Sequence, residues 1–323
     1  MGIVDTLSVG FNRITKRLWL ILIPVVVDIG IWIGPRLSLK ELSQTTLGAF
    51  TSLSELGQEY QQSLELLREG LTSLGAQTDL LPLLSMRLLG VPSLTGTFPP
   101  QASLLRMARA VIEVPTWLKA SLLSLLLTVF SLLIGCFFLS WLAQEAREDL
   151  PNWGYALQVT WRSWLQLLIL LLATSLAAIG LGIGVSLTYG ILTALIPQLG
   201  TILFSLLAIG ALWLSLYVGI IFFFIPRALL LDNAGIVHAV WSSINVVHRG
   251  FFSAAMFVLL VNVIQTGLMY IWHMLTTSAA GTLIGIAGSA YVNAGLALAS
   301  FIFYRDRFVA WQEARAVAKT GEK

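Results

Sequence analysis

A single cysteine, Cys136, stands in the whole chain, which removes any intrachain disulfide and any cysteine-based metal centre. Histidine is nearly as scarce. The three present, His238, His248 and His273, form no H-E-x-x-H and no pair at ligand spacing, so no metal site is expected. The scarcest property is charge, at 11% of residues where a soluble domain carries roughly a quarter. With 57% hydrophobic residues and a mean hydropathy of +0.85, a soluble globular class is excluded and the lipid bilayer becomes the first expected partner. A net charge of +3 invites a nucleic-acid reading. Lys and Arg, however, fall at the edges of apolar runs and not on one face, so no nucleic-acid partner is expected and the basic residues serve as a topology signal.

Residues 163–226 contain no charged side chain, and residues 250–304 contain none except the titratable His273. A continuous helix over the first stretch would reach ~96 Å, three times the ~30 Å hydrocarbon layer, so the chain must cross, turn and return. Apolar runs at 18–34, 118–142, 163–188, 201–225, 251–272 and 281–304 predict an all-α, polytopic bundle of six transmembrane helices. Arg13, Lys16 and Arg17 followed by 18–33 resemble a signal peptide, but the run ends in Gly34-Pro35-Arg36 without a small-residue cleavage site, so it is expected to be retained as the first span. Arg147, Arg162, Arg227, Arg249 and the basic tail from Arg305 place the segments 143–162 and 226–250 and both termini in the cytoplasm of a cell with a plasma (inner) membrane.

The organisation read from these runs is an N-terminal interfacial helix and first span (1–35), an extracytoplasmic helical region (36–117), a five-span membrane domain (118–305) and a cytoplasmic tail (306–323). In the extracytoplasmic region, Leu39, Leu42, Thr46, Phe50, Leu53, Leu56, Tyr60, Leu64, Leu67, Leu71 and Leu74 recur at steps of three or four, predicting one long amphipathic helix. Pro82, Pro92, Pro99 and Pro100 then break the chain before a shorter helix from Gln101 to Val114.

An Arg-x-aromatic element opens each outward-going span: Arg17 with Trp19, Arg162 with Trp164, and Arg249 with Phe251. A β-branched residue stands three positions before each arginine, namely Ile14, Val159 and Val246, and each element closes an amphipathic stretch. These six residues are expected to anchor the inner leaflet at the ends of cytoplasmic interfacial helices. The run Pro226-Arg227-Ala228-Leu229-Leu230-Leu231-Asp232-Asn233-Ala234-Gly235 to Ser243, leading to Arg249-Gly250-Phe251-Phe252, resembles the cytoplasmic loop of poorly characterised six-span bacterial families. Among them is the membrane domain appended to some glycerophosphoryl diester phosphodiesterases. The resemblance covers residues 118–305 and implies a six-span membrane module. It implies no phosphodiesterase activity, because the chain lacks a polar segment long enough for the catalytic barrel.

No catalytic residue and no cofactor is expected. Glu145, Glu148 and Asp149 beside Arg147 read as a solvated helix end. Gly180, Gly184 and Thr188, and Gly281, Gly285, Ser289 and Asn293, are small-residue stripes for close helix packing, within the chain or in a homo-oligomer. Asp28 is the expensive residue, because a carboxylate in a span costs on the order of 3 kcal/mol and must be partnered or protonated. At matching depth lie Asn262 and Asn293, with Gln265 one turn further out on the face of Asn262, and with Asp28 these would form a buried polar cluster. Pro24 is expected to kink the helix carrying it. The functional expectation is a non-enzymatic membrane module with a membrane or envelope partner protein. A small-solute or proton-coupled permease using that cluster is the alternative, and an enzyme acting on lipid head groups the third.

Overall fold

Hydrocarbon offers a peptide group no hydrogen-bond partner, so a chain this apolar closes its backbone bonds locally, as helices. The computed structural model describes residues 2–51, 61–85, 91–99, 109–148, 152–232 and 235–321. Its helices are α1 (Ile3–Lys16), α2 (Leu22–Ile33), α3 (Lys40–Thr51), α4 (Gln61–Gln77), α5 (Leu94–Thr97), α6 (Trp117–Arg147), α7 (Trp153–Leu195), α8 (Pro197–Asp232), α9 (Ile236–Arg249), α10 (Phe251–Met274) and α11 (Ala279–Gly321). Five of them, α6, α7, α8, α10 and α11, are long and apolar enough to cross a membrane. The protein is therefore a multi-pass, all-α membrane protein.

The expected first span is shorter than the rest: a 3-10 turn over Leu18–Ile21 leads into α2. Pro24 accordingly lies in the first turn of α2, where its missing N–H would have had no helical acceptor. The chain passes there from 3-10 to α-helix without a break.

The chain divides into two compact units. One comprises Leu18–Phe138 and Thr266–Asn293. Here α2 ends at Gly34, and β1 (Arg36–Ser38) pairs in parallel with β2 (Val111–Glu113), Leu37 opposite Ile112. Leu37, Leu42, Leu80, Leu81, Val114, Ala120 and Leu127 form its core. Asp79 accepts the amides of Leu37 (2.9 Å) and Leu81 (3.1 Å) and faces Arg109 at 3.5 Å. The single long helix expected over 39–74 is corrected: α3 and α4 lie side by side, and a Cβ on Gly75 near the end of α4 would come 3.3 Å from the Lys40 Cα at the start of α3. A leucine stripe buries as well against a second helix as along one, so periodicity alone could not separate the two. Leu53, Leu56 and Tyr60 lie outside the described residues, as do residues 101–108 of the shorter expected helix. Val111–Glu113 from that stretch are strand.

The other unit comprises Met1–Arg17, Leu139–Gln265 and Ala294–Lys323. An aromatic stack forms its core: Phe257 lies on Phe303 at 4.3 Å, and Phe224 on Phe303 at 5.8 Å. Gly10 of α1 rests on α11, where a Cβ would approach the Ala299 Cβ to 2.8 Å and the Gly295 carbonyl to 2.9 Å. Beyond this packed end, α7 and α8 continue as a hairpin clasped by Tyr189 against Phe204 at 4.5 Å. Residues 175–191 and 202–216 of its two arms are exposed throughout.

Candidate functional site

Asp28 is 1% exposed, so its carboxylate must find every partner inside the protein. It does so on α5. Ser93 is the N-cap of this short helix, its Oγ accepting from the Gly96 amide at 2.9 Å. Asp28 takes the next two orphan donors, the Leu94 amide at 3.0 Å and the Thr95 amide at 2.8 Å. The Ser93 hydroxyl donates to the same carboxylate, and Thr95 Oγ1 lies 2.7 Å from Oδ1 and 2.9 Å from the Asp28 carbonyl. Leu94 is fully buried beside Gly285, whose absent side chain leaves the room: a Cβ there would sit 3.0 Å from Leu94. Phe98 closes the far end, stacked on His273 at 4.8 Å and tilted against Tyr270 at 5.0 Å. Asp28 is thus a latch between the first apolar helix and the inserted region.

The partners of Asp28 are Ser93, Leu94 and Thr95, and not the residues expected beside it. Asn262 is exposed and donates to its own helix at the Val258 carbonyl, 2.8 Å away. Asn293 is buried and donates to Ser289 at 3.2 Å, and Gln265 is half-buried. Asn262 and Gln265 belong to one compact unit, Asp28 and Asn293 to the other. The partners of Asp28 lay in a Pro-rich stretch read only as a break, although Pro92-Ser93-Leu94-Thr95 carries a helix-start signal.

In the other unit Arg13, Arg147 and Arg305 share one task. The last carbonyls of a helix have no intrahelical donor and carry its negative dipole end, so a cation there is favoured. Arg13 donates to the Glu145 carbonyl at 2.9 Å and Arg305 to the Ala146 carbonyl, both in the last turn of α6. Arg147 donates to the Leu230 carbonyl in the last turn of α8 and to the Tyr155 hydroxyl at 2.7 Å. The same device recurs in the first unit, where Arg109 donates to the Ile31 and Gly34 carbonyls at the end of α2, each at 2.9 Å.

The side chains of α6 complete this arginine collar. Arg17 pairs with Glu145 at 2.6 Å and Arg13 with Glu148 at 2.6 Å, while Arg305 approaches Glu148 at 3.9 Å. Glu148 holds φ at 67°, a left-handed conformation that costs an L-residue roughly 1–2 kcal/mol. A glutamate is found there because its carboxylate meets arginines from α1 and α11. Glu145, 11% exposed, is therefore ion-paired and not solvated as expected, whereas Glu148, 66% exposed, is at a solvated helix end and carries ion pairs as well. Asp149 lies outside the described residues.

The repeated element has a shared burial pattern. Ile14, Val159 and Val246 are all buried, and each is preceded on the same face by a buried small residue, Gly10, Ala156 and Ser242 with Ser243. Arg162 and Arg249 are exposed, whereas Arg17 is engaged by Glu145. Trp19 and Phe251 are partly exposed, and Trp164 packs on Trp161 at 4.9 Å. The second stretch is not a separate helix, because α7 runs unbroken through Arg162. Nothing in Trp161-Arg162-Ser163-Trp164 interrupts it, whereas Gly250 ends α9.

No family model matches the chain, and no curated protein or solved structure is similar to it.

Proposed function

We propose that the chain is a non-enzymatic membrane module that works by assembly, and that the α7–α8 hairpin is the face it offers to a partner membrane protein. The carrying observation is that residues 175–191 and 202–216 are exposed on every side, whereas residues 223–230 at the other end of α8 are buried and α7 buries one face there through Ala156, Val159, Ser163 and Leu167. Gly180, Gly184 and Gly210 add places where a neighbouring backbone could approach, since a Cβ on any of them would meet nothing within 4 Å. In this reading the termini and the Arg162 and Arg249 elements lie on the cytoplasmic side of an inner membrane, with α1 and α9 along its leaflet. The resemblance of 226–252 to six-span bacterial families belongs to the same proposal. Against the permease alternative stands the engagement of Asp28 by α5 and of Asn262 by its own helix.

A photoreactive residue at Leu187 or Leu206 tests the reading in native membranes, with Leu118 on α6 as the control. The expected result is a discrete protein adduct from the hairpin positions and none from Leu118. Lipid adducts alone at all three positions would remove the hairpin as an interface.

A further inference from the structure

We infer that the cleft between α7 and α9 retains one acyl chain of a bilayer phospholipid. The cleft has a volume of about 450 Å³ and is lined by Ile169 and Ala173 of α7 and by Val237, Val240 and Trp241 of α9, among other apolar residues. That size falls within the ~300–1,000 Å³ of ordinary ligand sites.

The shape follows from the sequence of α9. Ala239, Ser242 and Ser243, all buried, turn inward and let the helix settle closely on its neighbours. Val237 and Trp241 are left on the other side, 80% and 61% exposed, as a wall standing beside α7. Ala173 deepens the floor, because it interrupts the row of large exposed residues Leu165, Ile169, Leu172 and Leu176.

The occupant follows from chemistry and continuity. Water in a carbon-lined cleft would lack the two to four polar partners it needs, so water does not fill the space favourably. The cleft opens onto the exposed apolar face of α7, which in a multi-pass membrane protein is covered by lipid. Ile169 stands seven residues beyond Arg162, about 10 Å along the helix, a distance that separates an interfacial arginine from the acyl region. A chain lying there touches two helices at once and gains dispersion contacts on both sides that a chain on the bare hairpin lacks.

The test uses the full chain in nanodiscs made with a phospholipid carrying a diazirine at the end of one acyl chain, with photolabelled peptides mapped by mass spectrometry. Labelling of 169–173 and 236–241 is expected to exceed that of the equally exposed hairpin stretch 206–216 severalfold. Ala173→Trp should fill the cleft and abolish the excess while hairpin labelling stays constant. Val240→Phe fills it from the opposite wall and serves if the first variant does not fold. Equal labelling at all lipid-facing sites, or an excess that survives both fillings, would overturn the inference.

Discussion

Asp28 and Glu148 show two ways in which a scarce charge is made affordable in an apolar chain. Asp28 is surrounded by donors from one four-residue helix, so truncation would leave the buried Leu94 and Thr95 amides unpaired. Asp28→Ala is expected to lower stability by roughly 3 kcal/mol, read as a fall in melting temperature in detergent. Asp28→Asn should cost less, because its amide keeps one acceptor oxygen. A stable Asp28→Asn protein that had lost proton-linked transport would revive the permease reading. Glu148 differs because it is largely exposed and its ion pairs are worth little individually. Glu148→Gly trades those pairs for relief of the left-handed backbone and should fall within about 1 kcal/mol of the parent. Glu148→Ala keeps the strain and loses the pairs, so it should be the less stable of the two by the same melting measurement.

At the scale of elements, legibility followed physical cause. The membrane helices were readable because absence of charge over a span's length has one explanation, and the cost of Asp28 was readable for the same reason. Its partners were not, since Ser93, Leu94 and Thr95 reach it from a segment whose prolines advertise only a break. The arginine collar was hidden too. A basic residue beside an apolar run satisfies both the positive-inside pattern and a helix C-terminal carbonyl, and only coordinates separate Arg13 and Arg305 from free anchors. The stripe at Gly281 and Gly285 works inside the chain, where a Cβ on Gly285 would meet Leu94 at 3.0 Å and the Trp272 carbonyl at 3.2 Å. The stripe at Gly180 and Gly184 faces open space, and spacing alone treats the two alike. One element-level outcome tests the packing of α1. Gly10→Leu should destabilise the protein by about 1–3 kcal/mol and expose Phe11 to labelling after a cysteine replacement, while Ser8→Leu on the exposed side should be tolerated.

The whole molecule divides its labour between its compact units. One holds the region after α2 on that helix through Asp28 and Arg109, and the other gathers helix ends around arginines and stacks aromatic rings. Burial is correspondingly uneven among the spans: the apolar window of α11 is 72% buried and that of α7 not at all. The exposed windows are covered by lipid or by a neighbour, and the hairpin, the least buried of them, is the first place to look for one.

Because the hairpin arms touch little besides each other, their length is decoupled from the rest of the architecture. Whole turns could be gained or lost on both arms together, around the Tyr189 and Phe204 clasp, without repacking a single core side chain. Bilayer thickness varies by a few Å between membranes, and mismatch costs only fractions of a kcal/mol per Å, so such a segment can be retuned by small steps. The hairpin is in that sense the part of the chain free to drift toward a new membrane while the latch and the collar stay fixed.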